Sequence, residues 1–430
     1  MKSMGLDIGT SSLCGLVLDC ETGEAEAVLR RPNTGAVMQD PNAILHACRE
    51  LYGELRQVAG QRPCGLGISA QMHGILYLDG QGEPVSPLYT WQYDAGGDTE
   101  ALSETCGYPM AAGYGLTTLW MHMRRGIVPK SARGICTIGD YVAMRLCGGT
   151  SPHMHPSLAH SLGMFDVAAG CFDAKALEAA GIPGAMLPSI TQGGAVGNGP
   201  EGMAVCCAVG DNQASVLGAL GMNQGVLINI GTGAQVSVLG QDSPCEIRPF
   251  FNGRIIRVGS ALCGGRALAL LHDFFAQSAD MMGIQAPDDL YARMLDMALS
   301  AYGEAPLAVD VRFCGTRSEP NRRGGITGIS AENFTPGRLI WGMLTGIANE
   351  LSTMLPADPA GLLVASGNAA RRNLLLQRIL AERVGRPLRF CRCKEEAAFG
   401  AALLGAVTGG VFPDVETAGR LIQYQSIPID

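Results

Sequence analysis

The sequence predicts an α/β protein built from two related domains. Near its start, Gly5-Leu6-Asp7-Ile8-Gly9-Thr10 predicts a strand and a tight turn, and the apolar residues 16–18 predict the returning strand. The segment Asn229-Ile230-Gly231-Thr232 repeats this unit 222 residues later, about half the chain length of 430 residues. A repeat at half the length indicates two structurally related domains, which we assign to residues 1–220 and 221–430.

The composition is that of a soluble globular protein, with 47% hydrophobic residues, 16% charged residues and 59 glycines. A net charge of −8 argues against binding to nucleic acid or to an anionic membrane surface. No run of about 18 apolar residues predicts a membrane span, and no targeting segment is recognisable, so we expect a cytoplasmic protein. The 15 cysteines lie mostly in apolar contexts, which is typical of reduced, buried thiols. The low charge, together with exposed sheet edges, favours a homodimer.

The first predicted domain opens with a β-meander over residues 4–30. A helix follows over residues 43–58, where apolar residues recur at helical spacing after the start signal Asp40-Pro41-Asn42. Residues 149–200 are predicted to be rich in loops, apart from one helix over 174–180. The other predicted elements are strands at 64–69, 75–78, 88–92 and 204–209, and helices at 98–106, 117–125, 138–146 and 214–220.

The second predicted domain repeats the strand, Gly-Thr turn and strand. Its first strand covers residues 225–230 and its second covers 235–239. A run of small residues predicts a closing helix over 397–408. The elements predicted between them are strands around 250–260 and at 362–365 and 388–391, and helices at 267–279, 288–302, 336–355 and 372–384.

The two Gly-Thr turns are candidates for phosphate binding. A turn of this kind exposes backbone N–H groups and hydroxyls, and Asp7 just before the first turn can hold a metal ion. Ordinary β-hairpins also carry such turns, so the first segment alone favours a structural role. The pair favours a functional role, because the phosphates of one nucleotide could satisfy the donors of both turns. Asn229 stands where the first turn has Asp7, and a second carboxylate beside a polyanion would add repulsion.

Asp211 is the candidate general base. It follows a buried strand and Gly210, and it precedes a predicted helix. A carboxylate there can accept the proton of a sugar hydroxyl as the hydroxyl attacks a γ-phosphate. The alternative is an N-cap aspartate, whose carboxylate accepts hydrogen bonds from backbone N–H groups of the first helical turn. For an isolated Gly-Asp the N-cap is the more common case, and the residues alone leave both interpretations open.

Eight short motifs occur along the chain. They are Gly-Leu-Asp-Ile-Gly-Thr (5–10), Ser-Ala-Gln-Met-His-Gly (69–74), Thr-Trp-Gln (90–92), Val-Gly-Asp-Asn-Gln-Ala (209–214), Ile-Asn-Ile-Gly-Thr-Gly (228–233), Gly-Thr-Arg-Ser-Glu-Pro (315–320), Ala-Ser-Gly-Asn (365–368) and Glu-Glu-Ala-Ala-Phe-Gly-Ala-Ala (395–402). In this order they resemble the motifs of the FGGY carbohydrate kinases, members of the actin-like ATPase superfamily, over nearly the whole chain. Gln-Met-His-Gly and Thr-Arg-Ser-Glu-Pro are most similar to the ketose branch, the xylulokinases and sedoheptulokinases.

The resemblance implies a fold and an activity. The fold is two related actin-like ATPase (ribonuclease H-like) domains that flank a nucleotide and sugar cleft. The activity is ATP-dependent phosphorylation of a primary hydroxyl of a sugar, here a ketose such as sedoheptulose or xylulose. The implied cofactors are ATP and Mg²⁺, with Mg-ATP held between the two phosphate loops. The implied partner is a small sugar rather than a nucleic acid or a membrane.

The resemblance also implies a role for each matching residue. Asp7 would bind the metal and organise the phosphates, and Asp211 would be the general base. The residues implied for phosphate binding are Gly9, Thr10, Ser11, Gly231, Thr232 and Gly233. Those implied for the adenosine pocket are Gly264, Gly265, Gly367 and Asn368. Those implied for the sugar are Gln71, Met72, His73, Trp91, Asp94 and Asp211.

Two positions depart from the family pattern. Cys14 stands where the family commonly has a lysine or arginine that meets the terminal phosphate, and the loop around Arg317 is our candidate for a substitute cation. Asp94 lies one residue later than the family's sugar-binding aspartate after Trp91. These departures motivate an alternative, a sugar- and nucleotide-binding regulatory protein on the same fold with weak or no kinase activity. A further alternative, an actin-like ATPase such as a chaperone, leaves Gln-Met-His-Gly unexplained.

Overall fold

The computed structural model describes residues 1–316, 319 and 321–426. They pack as two units. Unit 1 contains Met1–Met222, Arg248–Ile255 and Glu395–Gln423, and unit 2 contains Asn223–Ile247, Ile256–Lys394 and the described residues from Tyr424 onwards. The division at residues 220–221 is continuous in sequence, so it differs from these units at 248–255 and 395–423. As a division of the sequence into domains it stays a prediction.

Up to residue 222, short strands add to the predicted elements. The strands are β1 (Lys2–Ile8), β2 (Ser12–Asp19), β3 (Ala25–Pro32), β4 (Met38–Gln39), β5 (Gly65–Ala70), β6 (Leu76–Leu78), β7 (Leu88–Tyr89), β8 (Gly134–Cys136), β9 (His153–Met154), β10 (Phe165–Asp166), β11 (Cys171–Phe172), β12 (Ser189–Ile190), β13 (Ala195–Asn198), β14 (Ala204–Cys206) and β15 (Val209–Gly210). The helices are α1 (Pro41–Ala59), α2 (Thr99–Cys106), α3 (Gly115–Arg125), α4 (Ile138–Leu146), α5 (Pro156–Leu162), α6 (Ala174–Ala180) and α7 (Asp211–Leu220).

After residue 222, the strands are β16 (Gly225–Ile230), β17 (Ala234–Leu239), β18 (Glu246–Pro249), β19 (Ile255–Ala261), β20 (Ala308–Asp310), β21 (Gly325–Thr327), β22 (Leu362–Ser366), β23 (Leu388–Cys391) and β24 (Tyr424–Ser426). The helices are α8 (Gly265–Met281), α9 (Leu290–Ser300), α10 (Pro336–Ser352), α11 (Asn368–Arg372), α12 (Leu374–Val384), α13 (Glu396–Thr408) and α14 (Val415–Ala418).

The first Gly-Thr turn connects β1 and β2, two neighbouring strands of the unit 1 sheet. β1, β2 and β3 form an antiparallel meander, and β5 lies parallel to β1 on its other side. β14 and β15 both pair parallel with β5, and β13 is the antiparallel edge strand. The strand order is therefore β13-β14-β5-β1-β2-β3. β1 and β2 are buried along most of their length because α1 packs on one face of the sheet and α13 on the other.

Unit 2 repeats this arrangement. β16, β17 and β19 form an antiparallel meander, and β22 and β23 follow in parallel beside β16. β24 is the antiparallel edge strand, and the order is β18-β19-β17-β16-β22-β23-β24. The meander, the two parallel strands and the antiparallel edge occur in the same order as in unit 1. The prediction of two related α/β domains is confirmed.

Helix α13 lies directly on the sheet of unit 1 because glycines face it. A Cβ atom at Gly5 would lie 2.0 Å from a carbonyl oxygen of α13, and one at Gly67 would lie 1.8 Å from another. Gly218 of α7 has the same relation to α13, at 2.0 Å. No side chain fits at these positions, so backbone packs against backbone. The contacts fix β1, β5 and α7 relative to α13.

Helix α5 lies in the region that the sequence predicted as loops. Its seven residues are too few to show a helical repeat. Its N-cap is His155, whose ring accepts a hydrogen bond from the N–H of Ser157 at 3.1 Å. Histidine is not among the usual start signals of a helix, which explains the missed prediction. Of the helices in the described ranges, none combines the length and hydrophobicity needed to span a bilayer.

Candidate active site

Three parallel strands of unit 1 end at the same edge of the sheet. Ser69 of β5 lies between Asp7 of β1 and Val209 of β15 in the strand register. The first Gly-Thr turn follows β1, Gln71 follows β5, and Asp211 follows β15. Ligands of open α/β sheets bind outside the carboxyl ends of the strands. The structure therefore brings three of the predicted motifs to one edge.

Asp211 is the first residue of α7, and Gly210 is its N-cap. Its Oδ1 accepts a hydrogen bond from the N–H of the next residue, Asn212, at 2.7 Å. An N-cap side chain instead accepts from an N–H two or three residues further on. Burial raises the pKa of Asp211 to about 6, against the lowering effects of the Asn212 N–H and the Arg248 guanidinium. A carboxylate with this pKa is mostly ionised at neutral pH and can accept a proton.

Asp7 is held by Ser69, whose Oγ donates to Oδ1 at 2.7 Å. Burial raises the pKa of Asp7 to about 7, and the carboxylates of Asp211 and Glu395 add to the rise. The Ser69 hydrogen bond and the Arg30 guanidinium act in the opposite direction. Negative charge is thus concentrated at this edge of the sheet, and a bound cation would relieve it.

The residues at this edge fit Mg²⁺ bound through a single carboxylate. Mg²⁺ usually keeps several water molecules and takes one or two carboxylates together with phosphate oxygens. Within the part of the chain that the structure describes, no three His, Cys, Asp or Glu side chains form a ready metal site. Asp7 supplies one such carboxylate near the end of β1, and its role as the metal ligand stays a prediction.

Thr10 of the first turn connects residues predicted for the phosphate with residues predicted for the sugar. Its Oγ1 donates to Oε1 of Gln71 at 3.0 Å and accepts from the indole N–H of Trp91 at 2.9 Å. Gln71 Nε2 donates to Oε1 of Gln39 at 3.1 Å, and Gln39 Nε2 donates to the Thr10 carbonyl at 2.8 Å. This closed network fixes the turn against the end of β5.

Within the first turn, the N–H of Gly9 donates to the carbonyl of Ser12 at 3.0 Å. Asn33 Nδ2 donates to the Gly9 carbonyl, also at 3.0 Å. Of the residues predicted to supply phosphate donors, Gly9 uses its N–H and Thr10 uses its hydroxyl in bonds within the protein. Ser11 is exposed at the tip of the turn.

His73 follows β5 in a left-handed backbone conformation, with φ of +73°. Its N–H donates to Oγ of Ser161 at 3.0 Å, and its Nδ1 lies 2.6 Å from the Ser161 carbonyl, so Nδ1 carries the proton. The ring stacks on Tyr114 with centroids 4.8 Å apart. Such strained conformations cost about 1 kcal/mol or more and occur often at functional sites. Met72, the preceding residue, is buried.

Trp91 and Asp94 both lie at the surface of unit 1. Trp91 is 49% exposed. Tyr93 turns inward, and its hydroxyl hydrogen-bonds Nε2 of the buried His122 at 3.1 Å. Asp94 is exposed, and its Oδ1 accepts from the N–H of Gly96 at 2.7 Å, which closes a turn. The structure thus gives the carboxylate of Asp94 a local partner at the surface.

In unit 2, the second Gly-Thr turn is bound to the start of α8 through the backbone. The N–H of Gly264 donates to the Thr232 carbonyl at 3.0 Å, and the N–H of Gly265 donates to the Gly231 carbonyl at 2.8 Å. A Cβ atom at Gly264 would lie 2.4 Å from the carbonyl oxygen of Gly233. The close approach requires glycine there, while Gly231 and Thr232 remain exposed.

Gly367 and Asn368 lie beside the same turn. Asn229 pairs with Ser366 in the strand register, as Asp7 pairs with Ser69 in unit 1. Gly367 follows with φ of +86°, and a Cβ atom there would lie 2.3 Å from the Ile230 carbonyl oxygen. Unit 2 therefore gathers in one place the residues predicted for its phosphate loop and for the adenosine pocket, namely Gly231, Thr232, Gly233, Gly264, Gly265, Gly367 and Asn368.

Replacing Gly367 by alanine should destabilise unit 2. With φ of +86° and ψ of 153°, Gly367 has a backbone conformation that is essentially restricted to glycine, and an alanine Cβ there would also meet the Ile230 carbonyl. Gly385 is the control for a positive φ alone, because it is in the left-handed helical region, with φ of +67° and ψ of 25°, and its Cβ would meet nothing within 4 Å. We expect Gly385→Ala to cost about 1 kcal/mol and Gly367→Ala at least about twice that. Thermal unfolding of both variants measures the difference, and equal shifts in Tm would show that the contact is relieved without cost.

Three residues at the unit 1 site were not predicted from the sequence. Gln39 and Asn33 support the first turn through amide side chains, and neither belongs to a recognisable motif. Arg248 is only 3% exposed, and its charge acts on Asp211. The sequence feature that could have indicated Arg248 was the run Arg248-Pro249-Phe250-Phe251, in which one charged residue comes shortly before two aromatic residues. The cation proposed at Arg317 lies outside the described residues, as do Ser318 and Pro320 of the same motif.

The sequence matches two family models. Residues 3–239 match the N-terminal domain of the FGGY family of carbohydrate kinases, and residues 227–409 match its C-terminal domain. Sedoheptulokinase from Mus musculus is 28% identical over 467 residues, which cover 94% of this chain and 96% of that protein. Xylulose kinase from Streptomyces rubiginosus is 26% identical, with 94% of this chain and 88% of that protein covered.

Solved structures show the same fold. The xylulose kinase from Rhodospirillum rubrum superposes with a TM-score of 0.84 at 22% identity, covering 100% of this chain and 94% of that one. The gluconate kinase from Lactobacillus acidophilus gives a TM-score of 0.83 at 18% identity, covering 98% and 92%. At these identities the likeness concerns the fold alone.

Proposed function

Because this chain belongs to the FGGY family of carbohydrate kinases, we propose that it transfers the terminal phosphoryl group of ATP to a primary hydroxyl of a ketose. One observation carries the proposal beyond family membership. Asp7 lies near the end of β1 and Asp211 follows β15, so both carboxylates lie at one edge of the unit 1 sheet. Burial raises the pKa of each carboxylate, as is common for acids at functional sites.

In the proposed reaction, Asp211 accepts the proton of the attacking hydroxyl. The O–H bond breaks as the hydroxyl oxygen bonds to the γ-phosphorus, and the bond between that phosphorus and the β,γ-bridging oxygen breaks in line with it. Burial holds the pKa of Asp211 near 6, so the carboxylate is ionised at neutral pH and still basic enough to take the proton. Its hydrogen bond from Asn212 fixes one oxygen and orients the carboxylate.

Asp7 is proposed as the residue that holds Mg²⁺. When bound, the ion neutralises charge on the phosphate oxygens as the transfer proceeds. The Ser69 hydroxyl orients the Asp7 carboxylate through its 2.7 Å hydrogen bond. Gly9, Thr10 and Ser11 are proposed to supply phosphate donors, and the exposed Ser11 is the best placed because the Gly9 N–H and the Thr10 hydroxyl already donate within the protein.

The second Gly-Thr turn is proposed to bind phosphates of the same nucleotide through Gly231, Thr232 and Gly233. The carbonyl groups of Gly231 and Thr232 accept hydrogen bonds from N–H groups at the start of α8. These bonds orient the turn and do not involve the N–H groups of the turn. Gly264, Gly265, Gly367 and Asn368 are proposed to line the adenosine pocket. The proposal is supported by their position, because the protein's own backbone packs these glycines closely against the second turn.

A ketose is proposed because two of the relatives are named for ketoses, sedoheptulokinase and xylulose kinase. On this chain, Gln71, Met72, His73 and Trp91 are the proposed sugar-binding residues. The network through Thr10 places Gln71 and Trp91 beside the first turn, which supports a sugar site next to the phosphate. Asp94 also stays a proposed sugar ligand, and its carboxylate would have to give up the hydrogen bond from the Gly96 N–H to bind the sugar. Assembly as a homodimer and location in the cytoplasm stay predictions from the sequence.

The test is a panel of ketoses, polyols and aldoses incubated with the protein and MgATP. We expect at least one ketose to raise ADP release well above the rate without sugar, with one phosphate ester formed on a primary carbon for each ADP. Phosphorus and proton NMR of the product identify the carbon. A panel in which only a polyol or an aldose is phosphorylated would contradict the ketose assignment, and one in which no sugar is phosphorylated would contradict the activity.

A further inference from the structure

A row of three side chains crosses the meander of unit 1. Asp7 of β1 lies opposite Cys14 of β2, and Cys14 lies opposite Arg30 of β3. Residues directly opposite each other on antiparallel strands place their side chains on the same face of the sheet. Asp7, Cys14 and Arg30 therefore share one face, and the outer two are about two strand spacings, or about 10 Å, apart.

This face is the one that α13 covers. Gly5 lies two residues before Asp7 on β1 and packs against the backbone of α13. Glu395 immediately precedes α13, and its carboxylate pairs with the guanidinium of Arg30. The Arg30 side chain is 60% exposed and that of Glu395 is 19% exposed. The guanidinium therefore lies over the open end of the row, where solvent and a ligand can reach it.

The row has opposite charges at its two ends. Asp7 on β1 is acidic and Arg30 on β3 is basic, with Cys14 between them. Burial raises the pKa of the Cys14 thiol to about 12, so Cys14 stays neutral and adds no charge. The positive charge of this row therefore lies on β3 rather than on β2.

We propose that Arg30 binds the terminal phosphate of the nucleotide and supplies the positive charge that the first hairpin lacks at Cys14. The inference rests on the proposed function, since it places a triphosphate at the first turn. An arginine has five N–H donors in a planar fork, so Arg30 can keep a hydrogen bond to Glu395 and still donate to phosphate oxygens. Glu395 then acts as a positioning residue that holds the guanidinium on the correct face.

The alternative for Arg30 is an ordinary surface ion pair. Such pairs contribute little to stability, and their removal leaves binding elsewhere unchanged. Arg31 provides the matched control, because it is the next residue on the same strand but lies opposite Leu13, on the other face of the sheet. Its guanidinium pairs with Glu54 of α1. Both residues carry one charge on one strand and differ in the face that they occupy.

The test measures binding of the non-hydrolysable ATP analogue AMP-PNP and of ADP, both with Mg²⁺, by calorimetry. We expect Arg30→Ala to weaken AMP-PNP binding by about 10-fold, the usual effect of losing a charged hydrogen bond, and to leave ADP binding within about 2-fold of wild type. Arg31→Ala should match wild type with both nucleotides. Arg30→Lys, which keeps the charge, should recover part of the loss.

Moving the charge along the row is the sharper test. In the double variant Cys14→Arg/Arg30→Ala the cation stands on β2 instead of β3, and AMP-PNP affinity should return towards that of wild type. AMP-PNP binding by Arg30→Ala equal to wild type would overturn the inference, as would a loss shared equally with ADP. These readouts require no turnover, so they are separate from the sugar panel: a failed panel with a selective loss of AMP-PNP binding would contradict the proposed sugar chemistry and leave Arg30 as a phosphate ligand.

Discussion

Asp211→Asn should lower kcat of sugar phosphorylation by about 10²–10⁴-fold, the usual contribution of a general base. The amide cannot take the proton, but it keeps the size of the carboxylate and an oxygen that can accept from the Asn212 N–H. We therefore expect the KM values for sugar and MgATP to change by less than about 3-fold. The measurement is steady-state ADP release with the best ketose of the panel.

Asp173→Asn is the matched control for this variant. Asp173 is the N-cap of α6 in unit 1, and its Oδ1 accepts from the N–H groups of Lys175 and Ala176. Asparagine caps helices about as well as aspartate, so this variant should keep wild-type kcat. If Asp211 served only to start α7, the two variants would behave alike. A kcat of Asp211→Asn within about 3-fold of wild type would therefore remove Asp211 from the proton transfer.

Asp7→Asn should lower kcat/KM for MgATP by about 10²-fold or more, because the ligand proposed for the metal loses its charge. The concentration of Mg²⁺ needed for half-maximal activity should rise as well. Asp19→Asn is the control, since Asp19 lies at the far end of the same hairpin, opposite Lys2, and its carboxylate accepts from two backbone N–H groups. Retained activity in Asp7→Asn at low Mg²⁺ concentration would contradict the assignment.

Asp7→Asn should also stabilise the protein in the absence of ligands. The pKa of Asp7 is raised in the folded state to about 7 from 3.8, so its ionised form opposes folding. This penalty is complete above pH 7 and disappears as the pH falls towards 4. Asp7→Asn should therefore raise Tm by about 2 °C or more at pH 8 and by less at pH 5. A lower Tm at pH 8 would show that the carboxylate stabilises the fold instead.

The strand–turn–strand repeat was enough to predict the fold, because both copies lie at the same place in two sheets of the same strand order. Short motifs after buried strands also predicted what lies at the edge of the unit 1 sheet, since parallel strands end together. Asp7, Gln71 and Asp211 follow this rule. Gly367 and Asn368 follow it in unit 2, beside Gly231 and Thr232.

Other features depend on packing that a sequence does not show. The sequence predicted α13 as the closing helix of the second domain. The helix packs on unit 1, and the close approach at Gly5 and Gly67 explains this packing. Thr10 stays a predicted phosphate donor, and nothing in the sequence indicated that its hydroxyl bonds to Gln71 and Trp91. Arg30 stands opposite Cys14 because of the register between β2 and β3. The sequence does not show this register, because a bulge in β3 nearer the turn shifts the pairing by one residue. The sequence alone therefore suggested a missing cation at Cys14, where we propose that Arg30 of the neighbouring strand supplies the charge.

The most direct test of the account is the pH dependence of kcat/KM for the best ketose, measured at saturating MgATP from pH 5 to 8.5. With Asp211 as general base, the rate should be constant above about pH 7 and should fall about tenfold per pH unit below about pH 6, as the carboxylate is protonated. The residual activity of Asp211→Asn should lack this decline. A wild-type profile that is flat from pH 5 to 8.5, or a decline that persists unchanged in Asp211→Asn, would contradict the account.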